Sequence, residues 1–137
     1  MARQLKKSLT GLEVELFTIN ENGSIANAAD ILLKKAKSDN NLALKKEISL
    51  NIIEIASYPS ETIPNTMDNL LRELEYLVSI AGKNRILLCP LGAYPGSYNP
   101  VMRSAPRYDI KKSIFGTKRY KIEGRLSGFH CHYTLPR

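Results

Sequence analysis

The most constraining stretch of this chain is Gly11-Leu12-Glu13-Val14-Glu15-Leu16-Phe17-Thr18-Ile19. It alternates with a period of two, yet carries two acids where a half-buried strand ordinarily carries neutral polar residues. Strand side chains point alternately to opposite faces. Leu12, Val14, Leu16 and Thr18 therefore share one face, and Glu13, Glu15, Phe17 and Ile19 the other. Two carboxylates so placed repel each other unless water solvates them or a cation sits between them. Because Phe17 and Ile19 continue the acidic face, the acids are expected at the mouth of a pocket. A solvated strand end is the alternative reading.

Residues 48–58 read as a second strand closed by Pro59, with Ile48, Leu50, Ile52, Glu54 and Ala56 on one face and Ser49, Asn51, Ile53, Ile55 and Ser57 on the other. Glu54 stands alone among isoleucines. Burying an unpaired carboxylate is costly, so it calls for a cation or arginine opposite it, or for a wetter strand end than its neighbours suggest. Between these strands, a turn at residues 20–24 offers Ser24 as a helix N-cap. Ile25, Ala28, Ala29, Leu32, Leu33 and Ala36 follow at helical spacing. Lys34, Lys35 and Lys37 suit the negative end of that helix, and residues 38–41 end it. A second helix is expected over residues 62–81, with Thr62 as cap, Pro64 in the first turn and Gly82 as the stop. Its buried stripe would be Met67, Leu70, Leu71, Leu74, Leu77, Val78 and Ala81.

A third strand over residues 85–89 leads into a segment broken by Pro90, Gly92, Pro95, Gly96, Pro100 and Pro106. A loop of this length in a compact domain is usually functional, and Tyr94, Tyr98 and Tyr108 mark it as an ordered wall. A short helix is expected over residues 109–116. Lys118, Arg119, Lys121 and Arg125 then lie close to the final strand, Gly128-Phe129-His130-Cys131-His132-Tyr133. Alternation there sends the chain's two histidines, His130 and His132, to one face and Cys131 to the other. A His-x-His pair beside a Glu-x-Glu strand is a candidate ligand set.

The chain has 137 residues, enough for one domain with a core. No run approaches a membrane span, the first seven residues lack the apolar stretch of a signal peptide, and the two cysteines stand singly. Those features set the expectation of a cytoplasmic protein without a membrane partner. The net charge of +7, from 20 basic and 13 acidic residues, favours anionic partners. The lysines are scattered in pairs, including Lys45-Lys46 and Lys111-Lys112, and each pair by itself reads as solvated surface.

In this order, Glu-x-Glu, an isolated Ile-Glu-Ile and His-x-His resemble the glutamate–cysteine ligase type 2 family of carboxylate–amine ligases. Residues 11–17 are similar to the family's opening Gly-x-Glu-x-Glu strand, and residues 51–59 to its Val-Glu-Ile-Ala-Thr strand running into proline. Leu91-Gly92-Ala93-Tyr94-Pro95 resembles a Gly-Thr-His-Pro segment, departing from it at Ala93 and Tyr94. Arg107-Tyr108 resembles an Arg-Tyr pair, and residues 128–132 a Gly-Met-His-Val-His strand. The resemblance implies an α+β fold of the glutamine synthetase-like catalytic type, a mainly antiparallel sheet with helices packed on one face. Family members are much longer, so residues 1–137 are expected to be the N-terminal part of a single catalytic domain, truncated at the C-terminus and inert alone. Its last strand would then be an open sheet edge that invites homo-oligomers.

The resemblance further implies ATP and Mg²⁺ as cofactors, and glutamate with cysteine, or another amine, as substrates. ATP would phosphorylate the glutamate side chain, and the amine would displace phosphate to give γ-glutamylcysteine, a step of glutathione biosynthesis. Glu13, Glu54 and His130 would be the catalytic residues. Glu13, Glu15, Glu54 and His130 would hold metal, and Arg119, Arg125 and His132 would contact the nucleotide. Other readings remain. A ligase of the same fold could take ammonia or a different amine. His130 and His132 with a carboxylate could hold a transition metal. The basic residues 111–125 could bind nucleic acid, although no RNA-binding signature is present and the aromatics lie in the Pro/Gly loop.

Overall fold

The computed structural model describes residues 7–39, 41 and 43–135. Residues 1–6 and Arg137, which carry part of the expectations about the chain's two ends, lie outside the described residues, as does Asn40 at the expected end of the first helix.

The long strand β1, Thr10–Asn20, is the axis of a five-stranded sheet. Along one side it pairs antiparallel with β3, Ile52–Ala56, which in turn pairs with the three-residue strand β2, Leu44–Lys46. On the other side two strands share its length: β5, Phe129–Tyr133, covers Thr10 to Val14, and β4, Ile86–Cys89, covers Phe17 to Asn20. Every pairing is antiparallel, in keeping with the mainly antiparallel sheet that the family resemblance implies.

Helices α1, Ala29–Ser38, and α2, Ile63–Lys83, pack on the face that carries Leu12 and Leu16. The core joins these leucines to Ile53 and Ile55 of β3, Leu32 and Ala36 of α1, and Leu70, Leu77, Ile80 and Ala81 of α2. Leu77 and Ile53 are fully buried, each contributing about 1.5–3 kcal/mol by removal from water. The third helix, α3, Pro106–Glu123, stands at the rim of the opposite face. It is anchored by Tyr108 and Tyr120 against Ile48.

Several boundaries differ from the sequence reading, each for a local reason. The Ser24 hydroxyl donates to Asn22 rather than capping a helix. Ile25 bridges to Ile19 and Ala26 N–H donates to Thr18, so α1 starts only at Ala29. The expected second strand contracts to β3 because Ser49 and Asn51 are buried and turn their polar groups toward Gly124. Thr62 does cap α2, accepting from Asn65 N–H, but the helix passes through Gly82 to Lys83. Met67, Leu71 and Val78 stay exposed, at 37%, 48% and 53%. The buried line of α2 runs through Leu70, Leu77, Ile80 and Ala81 with Leu74 packed beside it. Leu71 and Val78, each one position past a buried leucine, point about 100° away from that leucine. The short helix expected at 109–116 instead extends to Glu123, broken at Gly116, whose φ of 77° and ψ of 158° favour glycine.

The proline- and glycine-rich segment forms the expected aromatic wall. Phe17 packs at a tilt against Tyr94, Tyr94 meets Tyr98 edge to face, and the Tyr94 and Tyr98 hydroxyls donate to the carbonyls of Gly23 and Gly124.

Candidate active site

The sheet face opposite α1 and α2 gathers the charged side chains. Register does the gathering: Lys45 of β2 lies opposite Glu54 of β3, and Glu54 lies opposite Glu15 of β1. One step along β1, Glu13 lies opposite His130 of β5, and His132 lies opposite Gly11. Glu13, Glu54 and His130 each offer a donor atom within 4.8 Å of the others, and Glu15, Glu47 and Glu54 do the same. Glu54 belongs to both groups.

Glu13 is fully engaged. Lys45 Nζ donates to its Oε1 at 3.0 Å, and His132 Nε2–H donates to its Oε2 at 2.9 Å. His130 Nδ1 stands 3.7 Å from the same oxygen, too far for a hydrogen bond. Burial presses the Glu13 carboxyl upward, but Lys45 and His132 outweigh it and hold the group below the ordinary glutamate value. Glu54 is buried, with Lys45 Nζ 3.4 Å from Oε1. Burial and repulsion from Glu13 nevertheless push its carboxyl up against the opposing pull of Lys45. Glu15 accepts from the backbone N–H of Gly128 at 2.9 Å, and burial still raises it. Glu47 is raised by burial and by the charge of Glu15. Three neighbouring carboxyls, each raised first by burial and further by the charge of its acidic neighbours, mark a poorly solvated cluster of acids.

Gly128 does more than end a loop. A Cβ built there would lie 2.8 Å from His130 Nε2, so only glycine lets the imidazole fold back toward β1. The same residue supplies the N–H that Glu15 accepts.

A cleft of about 610 Å³ opens beside this face, lined by Glu15, Glu47 and His130 on one side and by Arg107, Lys111 and Glu123 of α3 on the other. The Lys111 ammonium pairs with Glu123 across the Gly116 break. The Arg107 guanidinium lies 4.4 Å over the Tyr108 ring.

The structure thus brings together Glu13, Glu15, Glu54, His130 and His132. It does not bring Arg119 and Arg125 to them. Arg119 lies over the Phe115 ring, and Arg125 donates to the Gly96 carbonyl beside Tyr98. Neither lines the cleft; Arg107 and Lys111 provide its cationic side. Lys45 and Glu47 also stand at this cluster and are not legible from the sequence. Lys45 lies in a strand of three residues, too short an alternation to reveal its register, and Glu47 follows directly after that strand.

Mg²⁺ prefers oxygen donors, and carboxylates above all. Two donor groups made of four glutamates and one histidine, with three carboxyls raised by burial and by their acidic neighbours, fit such an ion.

An antiparallel sheet with this arrangement of helices has a solved counterpart, the glutamate–cysteine ligase of Francisella tularensis in complex with AMP. The two share a TM-score of 0.58 and 19% identity over 96% of this chain, which spans only 28% of that ligase. The fold is therefore that of part of a glutamate–cysteine ligase. The family model of glutamate–cysteine ligase family 2 matches residues 9–137, and the chain belongs to that family. No curated protein matches its sequence. Among the described residues no helix is long and apolar enough to cross a membrane.

Proposed function

We propose that this chain carries part of the active site of an ATP- and Mg²⁺-dependent carboxylate–amine ligase, acting on glutamate and cysteine in the cytoplasm. The observation that carries the reading is the convergence of Glu13, Glu15, Glu54 and His130 on one sheet face, beside a cleft whose far wall carries Arg107 and the Lys111–Glu123 pair. Family membership supports the same chemistry. In the reaction, a side-chain carboxylate oxygen of glutamate attacks the γ-phosphorus of ATP and ADP leaves. The amine then attacks the acyl carbon, expels phosphate and loses a proton, giving γ-glutamylcysteine.

Phosphoryl transfer asks a protein chiefly for positioning and charge neutralisation. Glu13, Glu15 and Glu54, with His130, would hold the Mg²⁺, which when bound neutralises phosphate charge. His132 fixes the Glu13 carboxylate by its hydrogen bond. Arg107 and Lys111 supply positive charge across the cleft, where a triphosphate would lie. Arg119 and Arg125 keep a nucleotide role in this proposal only if α3 and its following loop turn toward the cleft when the nucleotide binds.

Binding is the direct test. Titration of the 137-residue chain with a fluorescent ATP analogue should show binding that requires Mg²⁺ and weakens in Glu54→Gln. Binding unaffected by chelator and by that substitution would refute the metal assignment. Phosphate release scored over a panel of amines, cysteine and ammonia among them, identifies the acceptor.

A further inference from the structure

The two donor groups on the sheet face are not equivalent. At Glu13 and Glu54 a cation is already present: the Lys45 ammonium lies 3.0 Å from Glu13 Oε1 and 3.4 Å from Glu54 Oε1. The remaining oxygen of Glu13 is occupied by His132. At Glu15 and Glu47, by contrast, no lysine, arginine or histidine lies within ion-pair distance among the described residues. Glu15 accepts from the backbone N–H of Gly128 and Glu47 from that of Ile48, and Glu47 also shares a hydrogen bond with the Glu54 carboxyl.

The position of Lys45 is built into the fold. Its Cα lies directly opposite that of Glu54 in the β2–β3 ladder, on the outermost strand of the sheet. Its side chain remains 47% exposed, so the ammonium can swing out into water without disturbing the core. Lys46, the next residue, belongs to the other face of β2 and lines a second cavity near Arg103.

We propose that Lys45 is a tethered cation that competes with divalent metal for the Glu13–Glu54–His130 position and so sets the order of loading. The first ion goes to Glu15, Glu47 and Glu54. A second ion reaches Glu13, Glu54 and His130 only when Lys45 is displaced. The inference rests on the metal reading of the site and adds to it a residue that holds no metal. Lys45 prevents uncompensated charge from accumulating on Glu13 and Glu54 while the metal is absent. It also makes the second position depend on any anion that draws the ammonium away, a polyphosphate included.

The test is a Mn²⁺ titration of the 137-residue chain without nucleotide at low ionic strength, with free Mn²⁺ read by its electron paramagnetic resonance signal. Wild type and Lys46→Met should each bind one ion tightly. Lys45→Met should bind a second ion at least about tenfold more tightly than wild type, because a unit charge a few ångströms from a dication has been removed. Lys45→Gln serves as a second variant of different shape, and melting curves establish that each is folded. Equal gains in Lys45→Met and Lys46→Met would reduce the effect to net charge and overturn the proposal. Unchanged binding in both Lys45 variants would overturn it while leaving the metal reading intact. Absence of Mn²⁺ binding in every protein would remove the metal reading and this inference together.

Discussion

Replacing Glu54 by glutamine should stabilise the chain without metal and destabilise it relative to wild type when metal is present. Carboxylate oxygens of Glu13, Glu15 and Glu47 all lie within 4.8 Å of Glu54, and one ammonium lies at 3.4 Å. At an effective dielectric constant of about 20, each repulsion is worth about 3 kcal/mol and the attraction about 5 kcal/mol. The balance is repulsive, and burial adds to it. Solvent around the half-exposed partners reduces what remains, so glutamine should gain about 1 kcal/mol, or about 3–5 °C in melting temperature for a domain of this size. Mg²⁺ at about 100 times its dissociation constant would add about 2.7 kcal/mol to wild type and much less to the variant, reversing the order. Scanning calorimetry of both proteins with chelator and with Mg²⁺ gives the four numbers needed. A variant less stable than wild type in chelator would refute the reasoning, because Glu54 would then be a satisfied partner of Lys45 rather than a surplus charge.

The same surplus predicts a pH dependence. Glu15, Glu47 and Glu54 are raised above 4.5 in the folded chain, so they favour folding most below pH 4.5 and lose that contribution as pH rises through their folded values. Glu13 is lowered, so its contribution is present above 4.5 and lost as pH falls through its folded value. The metal-free urea midpoint should therefore rise on acidification from about pH 7 toward 4.5; a fall over that window contradicts the assignment. Gly116→Ala forces a side chain into a φ of 77° with no neighbour to blame. It should cost about 1–2 kcal/mol, read by thermal melting, and a stabilised variant would show that the α3 break is not held by glycine.

How much of this was legible in the sequence depended on the length of each element. β1 carries enough alternation for its faces to be assigned, and the isolation of Glu54 among isoleucines signalled a cationic partner. That partner, Lys45, was not identifiable, since three residues of strand look the same as loop. The long second helix was readable from Thr62 and its apolar period, but the width of its covered face was not. That width depends on the sheet it meets. α3 was half read because its apolar residues do not form one stripe; Ile110, Ile114 and Ile122 remain exposed. Buried Tyr108 and Tyr120 hold it in place instead. His130 and His132 were assigned correctly to one face, although only the register shows that both turn toward Glu13.

The apolar face of the sheet fixes the charged one. Leu16 pairs with Ile53 and Val14 with Ile55, and these residues are committed to the helices on their side. A slip of β3 by one residue would place Glu54 in the core and an isoleucine in the cleft, since strand side chains alternate. The burial that resists such a slip therefore also holds Glu54 opposite Glu15, despite their repulsion. Glu13, Glu15 and Glu54, which repel one another only weakly in the unfolded chain, are forced together by hydrophobic burial on the far side of the same strands. Folding thus concentrates the charge that a cation can neutralise, and the site's appetite for positive charge follows from the register of its core.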